Sequence, residues 1–223
     1  PSDDVLFSLS LFVLFCPPHL RPCPRPAPDL APDLAPTSSL GLGLFAGGFT
    51  SRITEYIDTF NPGEAYVMGL FYADGSCGGY DCLSGYKYSW AINKQNRQLL
   101  EQCRDIMNKQ CMSLKFKILE TLKSSSILKL VPVGKDVKSF VKKWRLLFYD
   151  KRKYKKVPDA ILWSNDIVRQ SFLDGYYMGD GDMDKNGYYR FDNKGKIGSS
   201  GLYYLANSLG YKVSINTQQD NAD

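Results

Sequence analysis

The sequence predicts an α+β fold made of two related halves. A short phrase occurs twice, as GLFYADG at residues 69–75 and as GYYMGDG at residues 175–181. Each copy closes a segment with helical signals, and strands and a second helix follow it in the same order. A chain of 223 residues is long enough to bury a core as one large or two small domains. The repeat therefore indicates a duplicated helix–strands–helix–strands unit.

The first copy of the unit is predicted over residues 62–149. Asn61 and Pro62 are typical of a helix start, and Gly75 is expected to end this helix. The alternation in YKYSWAIN predicts the strand that follows. The remaining predicted elements are a helix at 95–109, strands at 114–120 and 126–133, and an amphipathic helix at 136–149.

The second copy is predicted to begin near residue 165 and to stop before its last strand and helix. Its predicted elements are a helix at 165–181, a strand at 188–193, a helix at 199–209 and a strand at 211–217. Without a further strand, we expect Val213 and Ile215 to lie at an unpaired sheet edge, which would impair any activity.

The first 49 residues differ in composition from the rest. Nine of the twelve prolines lie within residues 1–36, and APDLAPDLAP is low-complexity sequence. The apolar run VLFSLSLFVLF has the length of a signal-peptide core, but it lacks a basic flank and is too short to span a bilayer. A secreted or membrane-associated protein is therefore an alternative that rests on this run alone. We expect a disordered leader at 1–49, a first half with a basic linker at 50–163 and a truncated second half at 164–223.

Basic residues are concentrated in one stretch of the chain. No lysine precedes Lys87, and residues 135–156 hold ten basic residues against two aspartates. Such a block is typical either of a solvated helix face or of a surface that binds a polyanion such as nucleic acid. The single histidine, His19, and the absence of a CxxC pair argue against a zinc site and against histidine-based hydrolysis.

Two small residues lie four positions apart on each motif helix. They are Gly69 and Ala73 in the first copy, and Gly175 and Gly179 in the second. Residues four apart share a helix face, and two such faces allow two helix backbones to pack closely. We therefore expect the two motif helices to lie side by side.

An aspartate ends each motif helix, so this pairing is expected to bring Asp74 and Asp180 together. A carboxylate at a helix C-terminus faces the negative end of the dipole, and two neighbouring carboxylates repel each other. A turn formed by Asp-Gly explains either copy alone. Two copies on similar helices favour a divalent-metal site, and such a site can hydrolyse a phosphodiester.

Three sequence blocks together resemble the LAGLIDADG, or dodecapeptide (DOD-type), homing endonucleases of the kind inserted in inteins. VMGLFYADG at 67–75 and LDGYYMGDG at 173–181 resemble the paired motifs, and KKVPDAIL at 155–162 resembles the lysine-and-proline block. The resemblance covers residues 62–220. It implies a monomer with two αββαββα halves about a pseudo-twofold axis, whose sheets form a saddle over double-stranded DNA.

The resemblance also implies roles for individual residues in a Mg²⁺- or Mn²⁺-dependent cleavage of both DNA strands. Asp74 and Asp180 match the catalytic acids that bind the metal. Lys155 matches the block lysine that polarises the scissile phosphate or activates water, and Lys156 is the adjacent candidate. A basic, DNA-facing loop without a catalytic role is the alternative for this lysine pair.

Alternation along the predicted strands places polar side chains on the sheet face away from the helices. Lysine and arginine on that face would contact phosphates or guanine edges, and asparagine could pair with adenine. For each residue alone, ordinary solvent exposure is the alternative. The predicted DNA-binding residues are Lys87, Ser89, Lys115, Lys117, Arg190, Lys212, Ser214 and Asn216.

Self-splicing is not expected, because the chain has no histidine after His19 for the splicing chemistry of inteins. In a second hypothesis, the chain has the same fold but does not cleave DNA. It would then be a catalytically inactive DNA-binding protein or a maturase-like cofactor of RNA splicing. Neither membrane association nor secretion is expected, and the sequence indicates no compartment.

Overall fold

The structure is a computed structural model, and it describes residues 7–14, 60–120, 126–183, 185 and 187–219. The α+β class is confirmed, with helices packed against antiparallel sheets. In chain order the elements are β1 (Phe7–Leu14), α1 (Pro62–Asp74), β2 (Gly75–Cys82), β3 (Gly85–Lys94), α2 (Arg97–Gln110), β4 (Lys115–Glu120), β5 (Leu128–Val133), α3 (Val137–Phe148), α4 (Asp159–Leu162), α5 (Asp166–Asp180), β6 (Gly181–Met183), β7 (Tyr189–Lys194), α6 (Lys196–Ser208) and β8 (Lys212–Gln219).

The first half has the expected αββαββα order, from α1 to α3. Its sheet has the strand order β2-β3-β5-β4, and every neighbouring pair is antiparallel. Strand β2 was implied only by the resemblance and by no residue pattern, because its sequence GSCGGYDC lacks apolar alternation and is rich in glycine. It forms a hairpin with β3, whose first residue, Gly85, has φ +100°, a conformation that glycine adopts readily.

An aromatic cluster attaches α1 to this sheet. The ring of Phe71 stacks on Trp90 of β3 at a centroid distance of 5.2 Å. The same ring meets Trp144 and Phe148 of α3 edge to face, at 4.7 and 4.8 Å. All four side chains are buried, so the end of α1 is fixed against both the sheet and α3.

The second half contains a strand that the sequence analysis did not predict. Its sheet has the order β6-β7-β1-β8, and β1 is antiparallel to both β7 and β8. Residues 7–14 of the expected leader form this strand, and the rest of residues 1–49 lies outside the described residues, so the leader at 1–49 stays a prediction. Strand β8 pairs with β1 on one side and, within the described residues, forms an edge of this sheet, in agreement with the edge expected at Val213 and Ile215.

Helices α1 and α5 pack with their backbones in close contact. A Cβ atom added to Gly69 would lie 1.9 Å from the carbonyl oxygen of Phe172, and one added to Gly175 would lie 1.9 Å from that of Tyr66. A Cβ on Gly179 would lie 2.2 Å from the Cβ of Ala73. The expected pairing through small residues is therefore present. Within the described residues, no helix is both long enough and apolar enough to cross a membrane.

Replacing Gly175 by alanine is expected to destabilise the protein strongly. The added methyl group would overlap the backbone of α1, which cannot move without separating the two halves. We expect the free energy of unfolding, measured by urea denaturation, to fall by about 3 kcal/mol or more. Gly78→Ala is the matched control, since a Cβ there meets no atom within 4 Å. Equal stability of the two variants would contradict this packing.

Candidate active site at the ends of the paired helices

The Asp74 carboxylate lies where the two motif helices end. The ammonium group of Lys94, at the end of β3, is 2.6 Å from Asp74 Oδ2 and donates a hydrogen bond of 3.0 Å to the carbonyl oxygen of Gly179. A Cβ on Gly179 would lie 2.9 Å from Asp74 Oδ2. The carboxylate of the first helix is thus adjacent to the residue that precedes Asp180.

The Asp180 carboxylate lies closer to solvent than that of Asp74. Partial burial raises the pKa of Asp180, and the negative charge of Asp74 raises it further. The positive charges of Lys94 and Lys155 act in the opposite direction. The two acids therefore share one electrostatic environment, as expected for paired helix ends.

Lys155 reaches the same place from the basic segment before α5. Its Nζ donates to three carbonyl oxygens at the end of α1, those of Phe71, Tyr72 and Gly75, at 3.2, 2.9 and 2.6 Å. A cation in this position satisfies carbonyl groups that the helix leaves without a partner and offsets the negative end of its dipole. Burial lowers the pKa of Lys155 to about 8.

The neighbouring Lys156 is directed elsewhere. Its Nζ is 2.6 Å from Oδ2 of Asp159, which lies three residues further along the chain. That aspartate is the first residue of the short helix α4. Of the two candidate lysines, Lys155 is therefore the one that contacts the end of a motif helix.

The carboxylate oxygens at the helix ends are the kind of ligand that a divalent cation such as Mg²⁺ prefers. Asp74 Oδ2 is buried, and the contact shown for it is the ion pair with the Lys94 ammonium group at 2.6 Å. Such an oxygen suits a metal ligand. No group of three or more His, Cys, Asp or Glu side chains in the described residues could hold a metal ion. The two aspartates fit a Mg²⁺ site in which waters and a phosphate complete the shell, because Mg²⁺ usually keeps several waters.

Lys94 and Asn193 are two site residues that the sequence analysis missed. Gly75 pairs with Ile92 in the first sheet, and Gly181 pairs with Phe191 in the second. Lys94 lies two residues after Ile92, and Asn193 lies two residues after Phe191. The two residues therefore occupy equivalent positions in the two hairpins. Only the register of the hairpins reveals this relation, because no motif marks either residue.

The equivalent residues make different contacts. Lys94 contacts a carboxylate and a carbonyl oxygen, whereas the side-chain amide of Asn193 donates to the hydroxyl groups of Tyr72 and Tyr176, both at 3.3 Å. These tyrosines come from α1 and α5, and burial raises the pKa of both. The amide therefore links the two helices through neutral groups.

The predicted DNA-binding residues lie on strands of both sheets. Six of them lie on strands of the first sheet or on β8 and have exposed side chains: Lys87, Ser89, Lys115, Lys117, Lys212 and Ser214. Arg190 is paired with Asp182 at 2.8 Å and approaches Asp192 at 3.9 Å, so it is less free to meet a phosphate. Asn216 belongs to β8. The register places Lys129 on the same face as Lys117, an additional candidate.

Comparison with known proteins gives sequence relatives among DNA polymerases. No family model matches the chain. The chain is 48% identical over 176 residues to a DNA polymerase of Acanthamoeba polyphaga mimivirus, a match that covers 78% of this chain and 10% of the polymerase. A polymerase of Thermococcus hydrothermalis is 43% identical over 56 residues, and one of Thermococcus aggregans is 26% identical over 149 residues. The chain thus spans a tenth or less of the relatives it matches.

Among solved structures the similarity is to homing endonucleases. The structure of I-DmoI in complex with DNA and Mn matches with a TM-score of 0.47 and 18% identity, over 67% of this chain and 76% of that one. The homing endonuclease I-WcaI bound to its DNA recognition sequence matches with a TM-score of 0.37 and 15% identity, over 74% of this chain and 75% of that one.

Lys155 is expected to make the stability of the protein depend on pH. Its folded pKa of about 8 lies below the ordinary value of 10.5, so between these values the unfolded chain binds a proton that the folded chain lacks. The contribution of Lys155 to the free energy of unfolding should therefore rise from pH 8 to pH 10.5. Urea denaturation of the wild type and Lys155→Met across this range would measure the difference. A difference that stays constant across this range would contradict the assignment.

Proposed function

We propose that this chain is a site-specific DNA endonuclease that hydrolyses phosphodiester bonds with divalent metal ions held by Asp74 and Asp180. One observation carries the proposal: α1 and α5 pack backbone against backbone and end in two carboxylates that influence each other. Folding alone does not favour this arrangement, since the acids lie at the negative ends of two dipoles.

Two residues of the site would bind the metal ions, and two others would position the metal-binding acids. Asp74 and Asp180 would hold the ions, and a bound metal would supply Lewis acidity and a nucleophile from water. Lys94 fixes Asp74 against the end of α5 and is close enough to the acids to meet the charge of a phosphate. Lys155 fixes the end of α1 through three carbonyl oxygens. We propose that Lys155 acts mainly by positioning Asp74, and that its role toward the scissile phosphate is secondary.

The polar faces of the sheets would bind the duplex. Lys115 and Lys117 are exposed on β4, on the face opposite the buried Phe116, and Lys87 is exposed on β3. Cations spaced along strands can follow a phosphate backbone and supply sequence-independent affinity. The same face carries serine and asparagine residues that can read base edges.

We further propose that the chain is an endonuclease insertion of the intein type within a DNA polymerase. Two facts support this origin. The motifs at 67–75 and 173–181 resemble those of intein endonucleases, and the sequence relatives are much longer proteins named as DNA polymerases. An endonuclease of this origin would recognise the polymerase gene that lacks the insertion, which supplies the substrate for the experiments below.

Asp74→Asn is expected to abolish cleavage while DNA binding changes little. The substitution removes the charge that would hold the metal but preserves the volume of the side chain. Cleavage of a plasmid carrying the uninterrupted polymerase-gene site, in Mg²⁺ or Mn²⁺, would be compared with binding in Ca²⁺. Asp81→Asn, at an exposed position of β2, is the matched control and should cleave like the wild type.

The outcome also separates the two hypotheses for this fold. Cleavage by the wild type that is lost in Asp74→Asn supports the endonuclease. DNA or intron-RNA binding without cleavage by the wild type would favour the inactive or maturase-like alternative. Cleavage that survives in both Asp74→Asn and Asp180→Asn would refute the proposed site.

Replacing Lys115 and Lys117 together by alanine is expected to weaken DNA binding and its dependence on salt. Each phosphate contact releases counterions, so the slope of log K against log salt should flatten by about one to two units. The double variant Lys109→Ala/Lys142→Ala removes two exposed lysines from helices α2 and α3 and serves as the control. Fluorescence anisotropy from 50 to about 300 mM salt measures the slope. An identical slope for the two double variants would exclude β4 from the interface.

A further inference from the structure

A tight hairpin loop with three consecutive basic residues follows helix α3. The backbone N–H of Asp150 donates to the carbonyl oxygen of Tyr154 at 2.9 Å, and the N–H of Lys153 donates to the carbonyl oxygen of Asp150 at 3.1 Å. The Asp150 side chain accepts a further hydrogen bond of 2.8 Å from the N–H of Tyr154. Residues 151–153 therefore form a three-residue hairpin loop whose backbone is held by hydrogen bonds at its base.

Lys153 has a backbone conformation that lysine does not favour. Its φ of +68° lies in the left-handed region, and among the described residues it is the one residue other than glycine with a positive φ. Glycine is the preferred residue at this third position of such a loop. Backbone strain of this kind is concentrated at functional sites. Because folding alone would favour glycine, the lysine side chain is expected to serve a purpose other than folding.

The loop carries three positive charges that have no paired carboxylate in the described part of the chain. Lys151, Arg152 and Lys153 all have exposed side chains, and none of them takes part in an ion pair between described residues. Lys156, which follows the loop, is instead paired with Asp159 at 2.6 Å. Solvent exposure is ordinary for a single lysine, whereas three adjacent unbalanced cations suit a polyanion.

The loop is anchored beside the proposed active site. Lys155, two residues after Lys153, donates to three carbonyl oxygens at the end of α1. The N–H of Lys156 donates to the carbonyl oxygen of Phe148 at 2.7 Å, which holds the returning chain against the end of α3. Two residues span at most about 7 Å, so the backbone of Lys153 lies within that distance of Lys155. A DNA strand carries one charge for about every 3.4 Å of helix axis, so a strand at the helix ends has further phosphates within reach of the loop.

We propose that the hairpin loop 151–153 binds phosphates of a DNA duplex close to the scissile bond, and that Lys153 makes one of these contacts. The proposal deepens the proposed function and rests on it for the identity of the ligand. A lysine contact to a phosphate carries no base information. The loop therefore adds affinity and holds the DNA strand against the helix ends without selecting a sequence.

The variant Lys153→Gly separates a binding role from a structural one. Glycine adopts a φ of +68° without strain, so the urea midpoint of unfolding should not fall, although the cation is lost. Loss of one phosphate contact should flatten the slope of log K against log salt by about one unit and weaken binding about five- to tenfold at about 0.1 M salt. Lys153→Arg keeps the charge and should bind like the wild type. Lys142→Ala removes an exposed lysine from α3 and is the charge-matched control.

Binding is measured by fluorescence anisotropy without divalent metal, on a DNA duplex of arbitrary sequence, on one with the uninterrupted polymerase-gene site and on an RNA duplex. The loss in Lys153→Gly should be equal on both DNA duplexes, because a phosphate contact is independent of sequence. A slope and affinity equal to those of Lys142→Ala would overturn the proposal, as would a loss confined to one DNA sequence or to RNA. A lower urea midpoint in Lys153→Gly would also overturn it, because the lysine would then serve folding.

A scan with single neutral methylphosphonates locates the contact on the polymerase-gene duplex. The position that weakens binding of the wild type but not of Lys153→Gly marks the phosphate that Lys153 meets. We expect it within about four nucleotides of the cleaved bond, from the distance to Lys155, the length of a lysine side chain and the spacing of phosphates. A position a full helical turn or more away would contradict the proposed placement.

These measurements distinguish failure of the loop proposal from failure of the proposed nuclease activity. A slope that flattens in Lys153→Gly, in a wild type that does not cleave, would support the loop and refute the endonuclease. Cleavage by the wild type together with unaltered binding by Lys153→Gly would overturn the loop proposal and leave the endonuclease intact. A wild type that binds neither DNA duplex would overturn both.

Discussion

The backbones of α1 and α5 pass each other at Gly69 and Gly175 with no room for a side chain between them. A methyl group at either glycine would come within 1.9 Å of a carbonyl oxygen of the other helix. This contact fixes how the two halves meet, because each helix is also attached to its own sheet. It also determines where the helices end, and hence where Asp74 and Asp180 lie. The site therefore depends on a packing contact about one and a half helical turns away.

Charge at the helix ends is balanced by two lysines that come from outside the motif helices. Lys155 donates to three carbonyl oxygens at the end of α1, and Lys94 donates to the carbonyl oxygen of Gly179 in α5 while it contacts Asp74. Each ammonium group lies at the negative end of a helix dipole, where a cation is stabilising. The two ammonium groups thus offset the unfavourable electrostatic environment of the two carboxylates at the negative ends of the helix dipoles.

The two halves are related in architecture but differ in chemistry. Lys94 and Asn193 occupy equivalent positions, yet one is charged and contacts an acid while the other is neutral and contacts two tyrosines. Among the described residues, Asp74 forms an ion pair and Asp180 does not. In the proposed endonuclease, such a site would present unequal surroundings to the two strands of a bound duplex. The same is true of the sheets, whose inner strands come from different parts of the chain.

The sequence by itself determined the α+β class, the duplicated helices and the residues through which they pack. These features are local: small residues four apart define a helix face, and alternation defines a strand face. Strands β1, β2 and β6 and the residues Lys94 and Asn193 were decided only by tertiary structure. A glycine-rich strand, a three-residue strand and an isolated apolar run form because neighbouring strands offer them backbone partners. The position of Lys94 depends on the register of the hairpin formed by β2 and β3. Because that register is set by pairing between two strands, no short sequence pattern predicts it.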